Sequence, residues 1–415
     1  MKRTRRICVP TTALALAAVL MLFTGSANAS GFRVPESSIA GLGTANALVA
    51  NPEELGALVY NPAAMAFQKG NNIVAGVVVI EPDTKVSNAA GTSESDPDSP
   101  FFVPNLYFMT HFGDPWTFGL NISSPFGLET NWPAGAFPNF AGPLAGTQPT
   151  RTRVEMFNIN PNFAYAVNDT ISVAFGVDYY QVNKANLDSA AATVNGSGAD
   201  WGWNAAMLYS KGRWSAGASY RSSVEVKIDG LADFRSLGSF AFGAELEIEF
   251  PDMLQIGARY KATDKLGIEF DIERTKWSTF DSLVITATSV APPGTVLSTN
   301  VQNWDDVNAY RLGFTYQLSN KTQLRFGYTF DETPQPDATF TARVPDADRQ
   351  FVSFGVKQRI STWDLEAGVM YVKWDDRTIS NTTPIGAGDP NGTNAFNGNY
   401  DSTAILVGLG FGKSF

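Results

Sequence analysis

The sequence predicts an all-β membrane protein: a 14-stranded antiparallel outer-membrane β-barrel with a small, partly helical N-terminal segment inside its lumen. Three observations lead to this fold class. The N-terminus reads as an export signal, apolar and polar residues alternate in recurring segments, and short and long connections take turns. We expect a signal peptide over 1–29, a lumenal segment or hatch over 30–70, and the barrel over 71–415.

The N-terminus has the three parts of a secretory signal. Basic residues (Lys2, Arg3, Arg5 and Arg6) precede an apolar run over 13–23, and Ala27-Asn28-Ala29 supplies a small-residue cleavage site. The run is too short for a transmembrane helix, which needs about 20 residues. The mature chain is therefore expected to begin at Ser30. Cys8 is the only cysteine and lies within the signal, so the mature protein has no disulfide or cysteine-ligated metal.

Composition narrows the class of protein further. The net charge is −10, which argues against a nucleic-acid partner because such proteins present basic surfaces. The mean hydropathy of −0.09 is ordinary, as expected when only the outer face of a barrel is apolar. The sequence also contains no recognisable cofactor, metal or ATP motif, so none of these is predicted.

Alternation of period two recurs from about residue 71 to the end, in segments close to the ~9–11 residues of a tilted membrane strand. In 323–331, for example, Leu324, Phe326 and Tyr328 alternate with polar or small residues, and 266–273, 310–318 and 405–415 follow the same pattern. A soluble β-sandwich also alternates. Aromatic residues at the ends of the apolar faces, such as Trp214 and Tyr220, favour a membrane barrel, where they sit at headgroup level.

The connections supply the strand count. Short turns are expected at 113–115, 168–170, 211–213, 263–265, 319–321 and 360–362, and long polar loops at 87–100, 124–150, 188–200, 230–240, 289–304, 332–349 and 380–399. Short periplasmic turns and long external loops are typical of outer-membrane barrels. Fourteen strands follow, and their even number places both chain ends on the periplasmic side.

Residues 30–70 do not alternate and are rich in Gly and Ala. Asn51-Pro52-Glu53-Glu54 resembles a helix start, with Asn as cap and Pro at the first helical position. A fourteen-stranded barrel is wide enough to hold such a segment as a plug. Charged residues on the polar faces of the strands are expected to point inward (Arg259, Glu269, Asp271, Glu273, Arg311, Arg325, Asp364 and Glu366). They would line a polar channel or hold the hatch by salt bridges, and their mixed signs favour the second.

Several short motifs occur in a characteristic order along the mature chain. They are Gly31-Phe32, Ser38–Gly43 (SIAGLG), Asn61-Pro62-Ala63, Val103-Pro104-Asn105, Phe126-Gly127-Leu128, Trp201–Ala205 (WGWNA), Pro251-Asp252-Met253, Trp277-Ser278 with Phe280, Ala309-Tyr310-Arg311, and Val344-Pro345-Asp346 with Asp348-Arg349. In their order and spacing they resemble the FadL family of outer-membrane transporters for long-chain fatty acids and other hydrophobic compounds.

This resemblance implies a function and two sites. The cargo would be captured among the external loops, pass to a pocket inside the barrel, and leave sideways into the outer leaflet by passive diffusion. Asn61-Pro62-Ala63 would be the hatch motif, and Pro125, Phe126 and Gly127 would form the kink of the third strand where the wall opens. Pro and Gly independently weaken a strand's hydrogen-bond ladder. The alternative is that these residues only begin the second long loop.

The resemblance leaves the cargo open. Lys184, Leu283 and Val284 are candidate pocket residues. The ninth-strand stretch Leu283-Val284-Ile285 lacks the lysine that fatty-acid members have there, and an unpaired carboxylate in an apolar pocket is costly. This departure favours a neutral hydrocarbon or aromatic, as in toluene-type members, although Lys184, Arg221 or Lys276 could supply a charge.

Two other function classes compete. A general porin for small hydrophilic solutes would lack a plug, and a barrel enzyme would need a catalytic constellation. The single histidine, His111, precedes a predicted periplasmic turn, at the wrong end for a Ser-His hydrolase of the outer face. The expected partners are a hydrophobic ligand, outer-membrane lipid and lipopolysaccharide, and the barrel-assembly machinery. The protein is not expected to be an enzyme.

Overall fold

The computed structural model describes residues 31–235, 238, 240–289, 292–386 and 388–415. The predicted signal peptide lies outside the described residues. Within them, no helix combines the length and apolar character needed to cross a bilayer.

The described strands form one closed antiparallel barrel of fourteen strands, which confirms the predicted fold class. Its segments are β1 (Asn72–Asn88), β2 (Gly91–Ser95), β3 (Phe101–His111), β4 (Trp116–Ser123), β5 (Gly127–Asn131), β6 (Pro149–Asn168), β7 (Ile171–Ser189), β8 (Ala192–Lys211), β9 (Trp214–Arg221), β10 (Val224–Phe234), β11 (Phe240–Phe250), β12 (Met253–Lys261), β13 (Leu266–Thr275), β14 (Ser282–Ala287), β15 (Thr295–Val301), β16 (Val307–Gln317), β17 (Thr322–Asp331), β18 (Arg349–Ile360), β19 (Trp363–Trp374), β20 (Arg377–Ile379) and β21 (Gly398–Ser414).

Seven of the barrel strands are broken into two segments each. They are the second (β2 and β3), the third (β4 and β5), the seventh (β9 and β10), the eighth (β11 and β12), the ninth (β13 and β14), the tenth (β15 and β16) and the thirteenth (β19 and β20). The barrel closes where β1 pairs with β21 over the register Asn72↔Ser414 to Ser87↔Asn399. The first residue of β1 and the last residue of β21 lie at the edge of the barrel that carries the short turns. Asn72 shows this, because it pairs with Ser414 and also with Met109, which lies beside the first short turn.

All six predicted short turns are present between consecutive strands, whereas five of the predicted long loops contain strand. The segments 188–200 and 230–240 belong largely to two long hairpins. The strands β2, β5 and β15 lie within 87–100, 124–150 and 289–304. These segments are polar because they extend into water above the membrane. Strands can keep their backbone hydrogen bonds there without an apolar face. The connections 332–349 and 380–399 are long, as predicted.

The strand breaks reverse which face of a strand points outward. In β12, Leu254 and Ile256 are exposed on the outer wall. In β11, on the other side of Pro251-Asp252, Leu246 and Ile248 are buried in the lumen instead. These apolar residues are even-numbered on both sides of the break. The break therefore turns the residues of β11 inward, and the alternation in the sequence does not change. In the lower wall of this strand, formed by β12, the apolar side chains point towards the lipid. In the upper wall, formed by β11, they point into the lumen.

The hatch has little helix. A single α-helix, α1 (Ile39–Gly43), is capped by Ser38, and 3-10 turns follow at Leu55–Val59 and Pro62–Phe67. The predicted helix start at Asn51-Pro52 is wrong: Asn51 accepts a hydrogen bond from the Glu53 N–H, and no helix begins there. The Asn-Pro arrangement expected at residue 51 occurs instead ten residues later. There Asn61 caps the 3-10 turn that Pro62 begins.

Inward-facing charged residues anchor the hatch to the barrel wall, the structural role predicted for them. Glu269 accepts from the Ala50 N–H at 2.6 Å, and Asp271 accepts from the Val49 N–H at 3.0 Å. Arg325 of β17 pairs with Glu54 of the hatch at 2.9 Å and with Glu366 of β19 at 3.0 Å. Since these groups are buried together with both signs of charge, removing one partner would leave a costly unpaired ion.

Glycines on the inner wall let the hatch backbone approach closely. A side chain at Gly217 of β9 would overlap Val49 O and Asn61 Nδ2, and one at Gly327 of β17 would overlap the backbone of Thr44. Small residues of the hatch therefore pack against glycines of the wall, and the two backbones lie close together.

The reversal at Pro251-Asp252 predicts opposite responses to charge along one strand. Ile256→Arg places a cation in the hydrocarbon and should destabilise the barrel by about 2–4 kcal/mol. Glu247→Arg, on the outer wall beyond the break, should change stability by no more than about 0.5 kcal/mol. Reversible denaturant unfolding in lipid vesicles measures both values. Equal costs for the two variants would contradict the reversal.

The hatch contact at Gly217 predicts a leak on substitution. Gly217→Val should push the hatch away from β9 and raise ion conductance in planar bilayers, because the new side chain needs the space of Val49 and Asn61. Ala216→Val is the matched control, since Ala216 is exposed on the outer face of the same strand. A Gly217→Val barrel that conducts no more than Ala216→Val would argue against this seating of the hatch.

Candidate functional site

An aromatic cage lies inside the barrel above the hatch. It comprises Phe32, Phe126, Tyr180, Phe250, Trp277, Phe280 and Trp304, all buried in one apolar cluster. The ring centroids of Phe32 and Trp277 are 4.8 Å apart, and those of Trp277 and Trp304 are 5.0 Å apart, with the rings steeply inclined to one another. Edge-to-face packing of this kind is the preferred arrangement of aromatic pairs.

The strand breaks supply most of the cage. Phe126 lies in the break of the third strand, Trp277 and Phe280 lie in that of the ninth, and Trp304 lies in that of the tenth. A residue released from the ladder is free to turn its side chain to the centre of the lumen. Phe32 reaches the same place from the hatch.

An upper cavity adjoins the cage on its outer side. Its apolar lining includes Leu128 of β5, Leu187 of β7, Leu246 of β11 and Leu283 of β14. Thr152 and Arg343 add polar groups to the wall. The cavity measures about 40 Å³, far less than the ~300–1,000 Å³ of pockets that hold drug-sized ligands. A larger occupant therefore requires side chains to move.

Aromatic residues of three external connections form a cap over the mouth of the barrel. Trp132, Phe137, Phe340 and Phe396 are buried in one cluster there. The Trp132 indole donates to Ala342 O at 2.8 Å and ties two of the connections together. The upper lumen is thus roofed by apolar side chains rather than by solvated loops.

The wall has an unpaired seam between the second and third strands. β3 pairs with β4 only from Leu106↔Ile122 to His111↔Thr117, whereas β3 pairs with β1 as far as Phe101. Above the seam, the Asp96 N–H donates to Asn131 O at 2.9 Å. Among the described residues, 101–105 of β3 therefore have no ladder partner on the third strand. Pro104 lies opposite Val77 and Phe102 is 67% exposed, so the seam is at the level of the lipid-facing wall.

The hatch closes this seam from inside with its first residues. The Val34 N–H donates to Pro125 O at 2.9 Å, the Gly127 N–H donates to Phe32 O at 3.0 Å, and Arg33 forms a β-bridge with Phe126. The predicted kink residues lie where the third strand is broken between β4 and β5, beside the cage. That this break opens sideways for a cargo stays a prediction.

The predicted hatch motif lies lower in the lumen, against the wall formed by β7 and β8. The Asn61 Nδ2 donates to Val49 O at 2.8 Å and to Met207 O at 3.0 Å, and Ser172 Oγ donates to Ala63 O at 2.7 Å. Pro62 begins the 3-10 turn between these contacts. In this position the motif joins the hatch to β7 and β8.

Two of the three predicted pocket residues lie elsewhere. Leu283 lines the upper cavity, but Val284 points the other way, into an acidic groove on the outer wall. Lys184 is exposed and pairs with Glu155 at 3.4 Å, because a bulge between Val182 and Ala185 turns it outward. The assignment of Lys184 and Val284 to the pocket is therefore wrong.

The other cations considered for the pocket are already paired. Arg221 bonds to the buried Asp178, and Lys276 is half exposed and lies 3.8 Å from Asp252. Arg343 was not predicted as a lining residue, although it directly precedes the Val344-Pro345-Asp346 motif. Phe32, Trp277 and Phe280 belong to the motifs that carry the family resemblance, but nothing in the sequence indicates that they meet.

The remaining candidates for chemistry have structural contacts. His111 Nε2 lies 3.0 Å from Gln68 O, and its Nδ1 lies 2.9 Å from Thr117 Oγ1, so its ring joins the end of the hatch to the barrel. In the described part of the chain, no cluster of three or more His, Cys, Asp or Glu side chains suits a metal ion.

Comparison with known proteins agrees with this geometry. The chain is 27% identical over 421 residues to the long-chain fatty acid transport protein of Escherichia coli K12, covering 87% of this chain and 92% of the relative. A Pseudomonas aeruginosa FadL homologue of known structure superposes with a TM-score of 0.80 at 17% identity, covering 93% of this chain and 100% of that one. The Pseudomonas putida toluene transporter TodX superposes with a TM-score of 0.67 at 17% identity, covering 91% and 99%.

The model of one family spans nearly all of the sequence, from residue 20 to residue 415. Its description is outer membrane protein transport protein (OMPP1/FadL/TodX). With the closed fourteen-stranded barrel and its lumenal hatch, this match identifies the chain as a member of the FadL family of outer-membrane transport proteins.

Proposed function

We propose that the protein carries hydrophobic small molecules, either long-chain fatty acids or neutral hydrocarbons and aromatics, passively across the bacterial outer membrane. Cargo is captured at the external cap, held in the upper cavity and aromatic cage, and released sideways through the seam into the outer leaflet. One observation carries the proposal: the apolar cage adjoins an unpaired seam at the level of the lipid, while the hatch fills the lumen below.

The energetics favour a sideways exit. Each methylene that moves from water to hydrocarbon gains about 0.8 kcal/mol. A route downward past the hatch would lead the cargo among buried ions such as Glu269, Asp271 and Arg325. A route through the seam leads from one apolar environment to another. Partition into lipid is then the driving force, and no energy source is needed.

The related proteins support this range of cargo. The Escherichia coli relative is a long-chain fatty acid transport protein, and the Pseudomonas putida neighbour is a toluene transporter. In this proposal Pro125, Phe126 and Gly127 form the gate, while Asn61, Pro62 and Ala63 hold the hatch in place. Membrane lipid and lipopolysaccharide around the wall, and the assembly machinery during biogenesis, remain predicted partners.

The competing functions find less support. A general porin needs an open lumen, and here α1 and the two 3-10 turns of the hatch are packed against the wall. A barrel enzyme of the Ser-His class needs a free imidazole beside a serine, and His111 is bonded to Gln68 O and Thr117 instead. The family to which the chain belongs consists of transport proteins.

Uptake in cells tests the transport proposal directly. A deletion strain that expresses this chain should take up labelled oleate, toluene or alkane faster than the same strain with an empty vector. The two strains should not differ for a labelled small sugar, which a porin would admit. Equal uptake of all hydrophobic probes by the two strains would remove the transport claim.

The gate is tested by filling it. Gly127→Trp should block uptake while the barrel still assembles, because a large ring at the break occupies the space between hatch and wall. Gly127→Ala is the matched control and should transport normally, since an added Cβ meets only Val34 at 3.6 Å and Val154 O at 3.9 Å, both ordinary contacts. Normal uptake by a folded Gly127→Trp barrel would count against sideways exit.

A further inference from the structure

The wall has a second gap, between the eighth and ninth strands and separate from the seam. On one side, β11 pairs with β10 along its whole length. On the other side, its pairs with β14 end at Leu246↔Ile285. The next backbone hydrogen bond between the eighth and ninth strands runs from the Lys276 N–H to Asp252 O at 3.0 Å. Among the described residues, 247–251 therefore have no ladder partner on the ninth strand.

The acidic groove of the outer wall lies in this gap. It measures about 310 Å³, at the lower end of the ~300–1,000 Å³ of pockets that hold drug-sized ligands. Leu246 and Phe280 line the groove, and both also line the upper cavity inside the barrel. Phe280 belongs to the aromatic cage, where its ring centroid lies 4.8 Å from that of Trp304. One layer of side chains therefore separates the groove from the cavity and the cage.

The gap faces water, whereas the seam faces lipid. Just below the gap, Tyr220 pairs with Leu254, and the ring centroids of Tyr220 and Trp203 lie 5.2 Å apart on the outer wall. Tyr and Trp of a membrane protein are enriched at headgroup level. Glu247, which borders the gap above them, is exposed. At this height water can satisfy the unpaired backbone groups, which would be costly in hydrocarbon.

The rim of the groove carries an excess of negative charge. Five carboxylates line it: Glu225, Glu245, Glu247, Glu249 and Asp281. Lys227 pairs with Glu245 at 2.5 Å, and in the described structure the other four form no ion pair. A cleft lined by one sign of charge concentrates ions of the opposite sign and repels those of its own sign. The rim therefore disfavours anions and does not hinder neutral molecules.

We propose that the groove is a second side opening of the cage, which faces water and admits small hydrophobic molecules that are neutral or positively charged. Its rim repels carboxylates. Phe280 closes the opening: it lies in the break of the ninth strand, outside the ladder, and a rotation of its side chain joins the groove to the upper cavity. This opening is distinct from the cap and the seam of the proposed transport route.

An introduced thiol tests access through the groove. Cys8 lies in the predicted signal peptide and is the only cysteine, so a single Cys variant of the mature chain carries one thiol. Leu246→Cys and Leu187→Cys both line the upper cavity, but only Leu246 also lines the groove. The full barrel in lipid nanodiscs is treated with a trimethylammonium methanethiosulfonate, and the mixed disulfide is followed by mass spectrometry.

Leu246→Cys should react about tenfold faster than Leu187→Cys, because the rim concentrates the cationic reagent at the groove. Burial alone predicts the opposite order, since Leu246 is 4% exposed and Leu187 is half-buried. Ser282→Trp fills the groove and should slow Leu246→Cys to the rate of Leu187→Cys. Phe280→Cys repeats the comparison if Leu246→Cys fails to fold.

The charge of the reagent tests the rim. A sulfonate methanethiosulfonate should modify Leu246→Cys about tenfold more slowly than the cationic reagent, after correction for their rates with a free thiol. Changing Glu247→Gln and Glu249→Gln together should reduce this ratio to about twofold, and so should 1 M salt, which screens charges beyond ~3 Å. Asp264→Asn, at an exposed short turn, is the matched control and should leave the ratio unchanged.

The outcomes are separable. Equal rates for Leu246→Cys and Leu187→Cys would mean that the reagent enters through the cap, and would overturn the opening. A ratio of the two reagents that survives both Gln substitutions would overturn the role of the rim. Failure of wild-type cells to take up any hydrophobic probe would instead overturn the proposed transport, on which the thiol rates do not depend.

Discussion

The rest of the structure depends on one constraint: backbone polar groups facing lipid must find partners within the protein. A closed barrel meets it with an unbroken ladder, so an opening in the wall leaves N–H and C=O groups to be satisfied in another way. Here the first residues of the hatch do so, since Phe32 and Val34 bond to the broken third strand as a neighbouring strand would. On its third-strand side, the seam is therefore completed by the first residues of the hatch.

The same constraint explains why strand breaks are concentrated above the lipid-facing wall. In the membrane a break exposes unpaired groups to hydrocarbon, whereas higher up water or loops can satisfy them. The breaks at Pro251-Asp252 and after Arg221 use this freedom to reverse the strand, so that one apolar sequence phase serves lipid in β12 and the cavity in β11. A single alternating pattern thus builds two apolar surfaces, one that faces the lipid and one that faces the lumen.

Because one alternating pattern builds both apolar surfaces, the sequence alone does not show which of the two a residue belongs to. Alternation and turn residues were enough for the fourteen strands and all six short turns, because each depends on local patterns. The reversal at Pro251-Asp252 leaves no trace in the alternation, so Leu246 and Ile248 read as lipid-facing. Lys184 was misplaced for a similar reason, since a bulge between Val182 and Ala185 rotates it to the outside. The cage joins residues from breaks far apart in sequence, and only the closed barrel brings them together.

The lumen contains an apolar cage above and paired charges below, and this separation affects how the barrel could select among cargoes. An apolar cage discriminates poorly, since one methylene more or less changes binding by about 0.8 kcal/mol. Strong rejection requires a buried polar group that the wrong ligand leaves unsatisfied. In this barrel the buried charges below the cage are used in pairs to hold the hatch, as with Arg325 and Glu54. The buried polar groups near the cage that take no part in these pairs include Arg343, which donates to Thr152 Oγ1, and the indole N–H groups of Trp277 and Trp304, which have no hydrogen-bond partner in the described structure. In the proposed transport, the aromatic rings account for a broad range of cargo, and these few donors account for any preference among cargoes inside the lumen.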